Sequence, residues 1–363
     1  MPKSRLGPGQ HISNKGLVVS ATFEITNPGI AVSIQDFGRI GYRNIGVPLS
    51  GALDIYLLSA ANTLVNNPVD SAGFEIRWSG PTLKVENKPI RIALAGDITA
   101  WLTDPQGTRT QVDSFQSVLV LPGQSLVIDS VKSGVAYAAV SGGILVPKQL
   151  KSRSSYPKAK IGGYRGLALS SGSILSCQEA AAEIPTELKA TKRWPMEDGD
   201  IRVTLGPQEN HFTPESIDQF FSQPWTISHQ TDRMGTRLEG PPIAHNELGA
   251  DIISDGVIPG AIQVPANGQP IILLADCQTS GGYPKIATVI SADLSKLAHK
   301  KPGDTLRFLK VSHQEAKEAL NKKAELFEAW KQSIQAFLPP GSIDVDALYN
   351  SNLVSGVLSG SEE

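Results

Sequence analysis

The sequence predicts a mainly β protein with a few helices, and two observations support this fold class. Glycine (34) and proline (25) are abundant among the 363 residues and are spread along the chain, which is typical of many tight turns between short elements. Short apolar runs recur from Ala21 onward and end at Gly, Pro, Asn or Asp, as in IAVSIQ, IRIALAG and VLVLPGQSLVI. The length itself favours about two domains, at roughly 150 residues each.

A repeated turn indicates that the two domains are built alike. Gly123, Gly172 and Gly303 each stand three residues before a Leu at the start of a strand, and they occur in both halves. The stretch 178–200 is polar, rich in alanine and broken by two prolines, so it is the best boundary between the halves. We therefore predict a flexible tail (1–20), a first β-rich domain (21–177), a linker (178–200), a second β-barrel domain (201–311), a long C-terminal helix (312–338) and a flexible tail (341–363).

Two segments have the periodicity of helices. Asp54–Val65 places its apolar residues on one face, with Asp54 or Ser50 available as the N-cap. Gln314–Phe337 follows an S-x-x-E capping box and has apolar residues at spacings of three and four. Its apolar stripe favours packing against a barrel, and binding of a partner protein is the alternative.

Composition excludes several classes of protein. The 33 Lys and Arg against 35 Asp and Glu give a net charge of −2, whereas a nucleic-acid binder normally has a basic surplus. No apolar run reaches the roughly 18 residues of a membrane span, and the N-terminus lacks the apolar segment of a secretory signal. Two cysteines, Cys177 and Cys277, are too few for a disulfide framework, so we expect a cytoplasmic protein.

The common cofactor motifs are also missing. The sequence has no phosphate loop, no G-x-G-x-x-G after a strand, no paired histidines of metal-site spacing and no G-x-S-x-G elbow. No methionine neighbours a lysine, so the usual biotin-attachment sequence is absent. We therefore expect no metal site and no covalently bound cofactor.

Three polar, glycine-rich clusters are candidates for a site. The first, Gln35–Asp54, leads into the first helix; it suits a ligand's oxygens, or it is a structural loop in which Asp36 pairs with Arg39. The second holds Arg233 and Arg237, four residues apart, which either clamp a carboxylate or phosphate or pair with neighbouring acids. The third, 254–289, runs through a buried strand into ADCQTSGGYPK. Its amide side chains suit a planar amide substrate, because each is both donor and acceptor.

These clusters resemble a known family. QDFGRIGYRNIGVPLSGALD, ANTLVNNP, DRMGTRLEG, GAIQVPANGQPIILLADCQTSGGYPKIATVI and ADLSKLAHKKPGDTLRF are similar to the biotin-dependent carboxyltransferase family, over roughly 21–308. The family is also called allophanate hydrolase subunit 2 and includes Kip antagonists and the C subunit of 5-oxoprolinase. The resemblance implies cyclophilin-like β-barrel units and a Kip-inhibitor-like (allophanate hydrolase subunit 1-like) partner.

The resemblance leaves three functions open. In the first, the chain is the C subunit of an ATP-dependent 5-oxoprolinase, acting with the A and B subunits to open 5-oxoproline to glutamate, with ATP used by the complex. In the second, it is the carboxyltransferase half of a urea or amide carboxylase that takes carboxybiotin from another chain. In the third, it is a non-catalytic antagonist of a Kip-type kinase inhibitor.

Both catalytic roles require a site that holds a planar amide and stabilises charge on its oxygen. We predict that Asn62 and Gln278 hold the amide, that Asp276 is a general base or orients one, and that Arg237 and Lys285 stabilise negative charge. Asp276 as a turn cap and Lys285 as a solvated strand residue are the structural alternatives, and Cys277 is expected to be a core or pocket-edge thiol. The remaining substrate-binding candidates are Ser50, Gln263, Gly281, Gly282 and Tyr283.

Overall fold

The computed structural model of the chain describes residues 20–177, 187–195 and 197–338. These residues form many short strands and few helices, which confirms the predicted fold class. Within the described part of the chain, no helix is long and apolar enough to cross a membrane. Apart from Ser20, the predicted tails lie outside the described residues.

The strands are numbered in chain order. The first half contains β1 (Ala21–Asn27), β2 (Ile30–Gln35), β3 (Gly73–Ser79), β4 (Thr82–Val85), β5 (Ile90–Ala95), β6 (Ile98–Thr103), β7 (Arg109–Val112), β8 (Gln116–Val120), β9 (Ser125–Val131), β10 (Ala136–Val140) and β11 (Ser173–Cys177). The second half contains β12 (Glu187–Ala190), β13 (Ile201–Leu205), β14 (Trp225–Thr231), β15 (Gly235–Glu239), β16 (Asp255–Gly256), β17 (Ala261–Gln263), β18 (Ile271–Leu273), β19 (Ser280–Gly281), β20 (Lys285–Val289), β21 (Thr305–Leu306), β22 (Phe308–Lys310) and β23 (Ile334–Phe337). The α-helices are α1 (Ile55–Leu64), α2 (Pro214–Ser222), α3 (Leu294–Ala298) and α4 (His313–Lys331).

Two antiparallel sheets enclose the core of the first half. One has the order β11-β1-β4-β9-β6-β7 and the other the order β2-β3-β10-β5-β8-β12-β23. Apolar side chains alternate inward along the strands, so that Phe23 and Leu83 of one sheet and Phe74 and Ile92 of the other are fully buried in one cluster.

Eight strands of the second half form one sheet, curved and nearly closed as a barrel, with the order β21-β14-β15-β18-β17-β20-β13-β22. Its core includes Trp225, Ile262 and Ile286, and it is continuous with Leu57 and Leu64 of α1 from the first half. Helix α1 thus belongs to an apolar cluster that extends from the barrel into the first half, in addition to the first half's own cluster.

Local sequence signals correctly predicted α1 and several turns. Asp54 is the N-cap of α1, and its carboxylate accepts hydrogen bonds from the backbone N–H groups of Tyr56 and Leu57. The turn glycines, Gly123, Gly172 and Gly303, all adopt left-handed backbone conformations (φ of 85°, 82° and 90°), as the turn prediction requires.

The predicted C-terminal helix is correct at its start and wrong at its end. The capping box of Ser312 and Glu315 is formed, but α4 ends at Lys331 and the chain continues as strand β23. Phe327 and Trp330 are buried, whereas Leu320 of the predicted stripe is 39% exposed. The last part of the stripe is a strand instead, because pairing with β12 provides it with backbone hydrogen bonds.

The stretch predicted as a linker contains strand β12. Glu187–Ala190 pairs antiparallel with β23 and joins the seven-stranded sheet through β8. Glu187 is buried, and its carboxylate accepts hydrogen bonds from Arg91 and Ser117. The prediction of a linker was based on polar composition. One of those polar residues, Glu187, instead binds strand β12 to the first half through its carboxylate.

Candidate active site

The first and third glycine-rich clusters meet between the two halves. The backbone N–H of Ser50 donates to the carbonyl of Ala275 at 2.9 Å. From the same loop, Arg43 donates to the carbonyls of Val257 and Gln278, the latter at 3.1 Å. The loop before α1 is therefore held against the segment that follows β18.

A cavity of about 550 Å³ beside this contact brings four of the predicted residues together, namely Arg237, Gln263, Gln278 and Tyr283. The Gln278 amide donates to Oε1 of Gln263 at 3.3 Å, and the Gln263 amide donates to the carbonyl of Tyr283 at 3.3 Å. Gln263 is buried, whereas Gln278 and Arg237 are exposed. The cavity thus offers amide donors and acceptors next to a cation.

Gly281 has a steric role in this cavity. A Cβ atom at residue 281 would lie 2.5 Å from Nε2 of Gln263, which is closer than van der Waals contact allows. At Gly282 the nearest atoms to such a Cβ are 3.6 and 3.8 Å away, so a side chain would fit there. The first glycine of the pair therefore makes room for the Gln263 amide.

Lys285 is buried and paired, and it is not the solvated strand residue of the structural alternative. Its Nζ lies 2.9 Å from Oδ2 of Asp255, and only 4% of its side chain is exposed. The hydrogen bond from Lys285, with a smaller contribution from the backbone N–H of Gly256, holds the pKa of Asp255 below its usual range. The pair joins β20 to the two-stranded sheet of β16 and β19.

Asp276 is also fully engaged. Arg233 donates to both of its carboxylate oxygens, at 2.9 and 3.1 Å, and to the Gly51 carbonyl and the carboxylate of Glu75. Burial disfavours the charged guanidinium, but Glu75 and Asp276 outweigh it and raise the pKa of Arg233. The guanidinium occupies both carboxylate oxygens, so the geometry favours an orienting role for Asp276 over that of a general base.

The arginine clamp suggested for Arg233 therefore exists, but it binds the protein's own carboxylates. The sequence did not indicate Glu75, which lies far from Arg233 along the chain. Oε2 of Glu75 also accepts hydrogen bonds from the Tyr137 hydroxyl at 2.6 Å and the backbone N–H of Leu53 at 2.8 Å. This network connects β3, β10, the start of α1 and the loop after β18.

Asn62 does not line this cavity. It is fully buried on α1, and its amide donates to the carbonyls of Val69 and Ser71 while its oxygen accepts from Asn67. These hydrogen bonds fold the loop after the helix and occupy both ends of the amide. The structure therefore does not bring Asn62 together with Gln278, as the predicted amide-binding pair requires.

Ser50 and Arg39 combine burial with missing hydrogen bonds. Ser50 has a left-handed backbone (φ 53°), and its buried Oγ has no partner among the described residues. Arg39 is fully buried and donates to the Ser154 carbonyl, yet its Nε and Nη1 also find no partner there. Asp36 does not pair with Arg39; it accepts from Ser152, Ser154 and two backbone N–H groups. Buried polar atoms without a partner are candidates for ligand contacts.

A long irregular segment, 141–172, covers this part of the molecule and was not predicted as part of the site. Tyr156 lies near Asp276 and Cys277, and burial, followed by the charges of these two groups, raises its pKa. Lys158 donates to the sulfur of Met234 on the other half. A loop of this length without a regular helix or strand is often functional. The length of this stretch is therefore the feature of the sequence that could have indicated its part in the site.

Cys277 is fully buried, as expected for a core or pocket-edge thiol. Burial raises its pKa, and the nearby Arg43 guanidinium only partly opposes this effect. A thiol in this state is a weak nucleophile. Among the described residues, no three His, Cys, Asp or Glu side chains are grouped as metal ligands.

Comparison with known proteins finds relatives that match most of the chain. The family model for the carboxyltransferase domain, subdomain A and B, matches residues 45–310. The C subunit of 5-oxoprolinase from Escherichia coli (strain K12) is 34% identical over 311 residues, which cover 85% of this chain and 98% of that protein.

Larger proteins contain the same domain. The urea amidolyase of Lachancea kluyveri is 32% identical over 328 residues, covering 82% of this chain but 17% of that protein. The crystal structure of the Kluyveromyces lactis urea amidolyase superimposes with a TM-score of 0.76 at 30% identity, over 86% of this chain and 20% of that one. This chain therefore spans about a fifth of the urea amidolyases that it matches.

Proposed function

The chain belongs to the carboxyltransferase domain family, and on that basis we propose that it acts as the C subunit of an ATP-dependent 5-oxoprolinase. In this role it works with an A-type subunit and a Kip-inhibitor-like B-type subunit to open the lactam of 5-oxoproline to glutamate. The proposal makes the chain part of a hydrolase that is inactive without its partners.

The observation that carries this proposal is the extent of the match to the 5-oxoprolinase C subunit. The alignment covers 98% of the Escherichia coli protein, compared with 17% of the Lachancea kluyveri urea amidolyase. A second protein of that name, from Haemophilus influenzae, is 34% identical and covered over 93% of its length. The similarity therefore extends over nearly the whole length of both of these proteins.

The chemistry of the cavity supports a lactam substrate. A lactam presents one N–H donor and one carbonyl acceptor in a plane, and Gln263 and Gln278 offer both complementary groups. The side chain of Arg237 lies on the cavity wall and has no hydrogen bond or ion pair with the described residues, so it is available to a negatively charged oxygen. Tyr283, 40% exposed, provides an aromatic wall.

In the proposed reaction, water adds to the lactam carbonyl, the C–N bond breaks and the nitrogen takes up a proton, which yields glutamate. Arg237 stabilises the charge that develops on the carbonyl oxygen. Asp276 and Lys285, each held by a charged partner, keep the two ends of the segment 276–285 in place. ATP is supplied through the complex, and this chain needs no covalently bound cofactor for its part.

Carboxyl transfer is the second candidate, and the similarity to urea amidolyases favours it. In that case the same cavity binds urea or another amide, whose nitrogen accepts the carboxyl group from carboxybiotin on another chain. Urea is a neutral planar amide, so Gln263 and Gln278 suit it equally well. The two candidates therefore differ in the partner proteins and in the substrate.

A reconstituted complex distinguishes these functions. The chain is co-expressed with its A-type and B-type partners, and glutamate release from 5-oxoproline is measured with and without ATP. ATP-dependent release supports the proposal, and an assembled complex without release contradicts it. Carboxylation of urea in the presence of a biotinylated carrier would support the second candidate. Binding of the Kip-inhibitor-like partner without either reaction would support the antagonist role.

Gln278→Ala tests the cavity within this assay. We expect turnover to fall by about 100-fold or more, because one amide contact to the reacting group is lost. Gln335→Ala, at an exposed position on strand β23, is the matched control and should retain full activity. Equal activity of both variants, in complexes that assemble normally, would place the substrate elsewhere.

A further inference from the structure

A second cavity, of about 660 Å³, lies in the first half and shares no residue with the cavity of Gln263 and Gln278. It is enclosed by the segment 36–40, the turn after α1 and the loop 142–153. The volume is much larger than a water molecule or a simple inorganic ion needs, and it is typical of small-molecule sites. The proposed 5-oxoprolinase chemistry does not use it.

Three cations line this cavity. Lys148 and Lys151 form no hydrogen bond or ion pair with the described residues, and Arg153 uses its Nε to bind the Val146 carbonyl at 2.9 Å. Two carboxylates also line the wall. Asp36 is already satisfied by four donors, while Asp70 is exposed to solvent. The unpaired charge in the cavity is therefore mainly positive.

The backbone that carries Lys151 is strained. Gln149 and Ser152 exchange two backbone hydrogen bonds, of 2.8 and 3.2 Å, and close a two-residue turn. Its central residues, Leu150 and Lys151, both adopt left-handed conformations, with φ of 52° and 64°. Such turns normally use Asn and Gly, because side chains with a Cβ disfavour this conformation.

A neighbouring turn of the same kind has a glycine at its second central position. Tyr164 and Leu167 close a similar turn whose central residues are Arg165 and Gly166, with φ of 57° and 72°. A glycine therefore occupies the second central position there, whereas Lys151 occupies it in the first turn. Lys151 is exposed, so packing of its side chain does not explain the strain. Unexplained strain of this kind is concentrated at functional sites.

The rest of the wall is apolar. Ile40 and Leu145 line the cavity and are 74% and 43% exposed, respectively. An exposed apolar wall facing a group of cations fits a ligand with an anionic end and an apolar or planar body. Three cations favour a multiply charged end, such as a phosphate, over a single carboxylate.

We propose that this cavity binds a phosphorylated small molecule, with its phosphate held by Lys148, Lys151 and Arg153 and its body against Ile40 and Leu145. Isothermal titration calorimetry of the full chain tests this with pyrophosphate, ADP and acetate as probes. We expect pyrophosphate and ADP to bind, ADP more tightly, and acetate, which has a single carboxylate, to bind at least tenfold more weakly. Absence of binding by both phosphate probes at millimolar concentration, or acetate binding as tight as that of pyrophosphate, overturns the proposal.

Variants assign the binding to this cavity. The double variant Lys148→Gln/Lys151→Gln should weaken ADP binding by about tenfold or more, because two charge-assisted contacts are lost. Lys317→Gln, an exposed substitution on α4, is the matched control and should bind like the parent chain. Equal affinity of the double variant and the control would overturn the assignment.

Lys151→Gly separates a binding role from a structural one. Glycine relieves the left-handed strain, so the thermal midpoint should stay the same or rise while ADP affinity falls. If Lys151 has only a structural role, this variant should bind ADP like the parent chain. That outcome contradicts the proposal.

Discussion

Two groups of polar residues near β15 differ in how completely they are paired. In the cluster of Glu75, Arg233 and Asp276, every charged group has a charged partner within the protein. In the cavity of Gln263 and Gln278, Arg237 has no such partner among the described residues, and the amides keep unused hydrogen-bonding capacity. Arg233 and Arg237 lie four residues apart in the same segment. The residue types around them do not indicate which of the two arginines is paired within the protein. Complete pairing indicates an architectural role, and incomplete pairing next to a cavity indicates a ligand.

Arg233→Met should have the largest effect on stability. It leaves two buried carboxylates without their cation, which typically costs about 3–5 kcal/mol. Arg237→Met removes an exposed side chain and should change the free energy of unfolding by about 0.5 kcal/mol or less. Urea denaturation followed by fluorescence measures both. Similar losses of stability in the two variants would mean that the paired cluster and the cavity do not differ in how much they stabilise the fold.

Asp36→Asn tests a second fully paired group. Burial tends to raise the pKa of Asp36, but hydrogen bonds from Ser152, Ser154 and two backbone N–H groups outweigh it and lower the pKa in the folded state. The carboxylate therefore stabilises the fold above the unfolded-state pKa of about 4, and this contribution is lost as the pH falls through the lower folded-state value.

We expect Asp36→Asn to cost about 1–3 kcal/mol at pH 7 and less at pH 3, measured by denaturation at both pH values. Asp129→Asn, at an exposed position on β9, is the control and should show little change at either pH. An equal loss at both pH values would mean that the negative charge of Asp36 is not what stabilises the loop.

Gly281→Ala should lower the free energy of unfolding by only about 1 kcal/mol and should affect turnover more strongly. The new Cβ displaces the Gln263 amide, and a shift of about 1 Å at a binding group can reduce activity by tenfold or more. Gly282→Ala meets only ordinary contacts and should retain activity. The reconstituted 5-oxoprolinase assay compares the two, and equal activities would show that the position of Gln263 does not matter.

Local signals were sufficient for much of the fold. The cap at Asp54, the capping box at Ser312 and the turn glycines depend on residues a few positions apart, so the sequence predicts them correctly. The end of α4 was not predictable in this way. The apolar spacing of residues 334–337 fits a helix, but antiparallel pairing with β12 determines their conformation.

Most of the predicted residues that come together are supplied by one segment, and Arg237 joins them from β15. Gln263, Gln278 and Tyr283 come from strands and loops that are close in sequence, and the structure brings them to one cavity. Asn62 was chosen for its residue type, but its amide is used within the loop after α1. Glu75 pairs with a residue of the other half, and no local pattern reveals a contact of that kind.

The pairing of β12 with β23 has a consequence for the order of folding. Ala190 is opposite Ile334, and Glu187 is opposite Phe337, so the last described strand of the chain covers β12 and becomes the outermost strand of a sheet that belongs to the first half. During synthesis, β12 leaves the ribosome long before its partner and must remain an open edge in the meantime. Such an edge can pair with another chain, so we expect the nascent protein to depend on chaperones until β23 has docked.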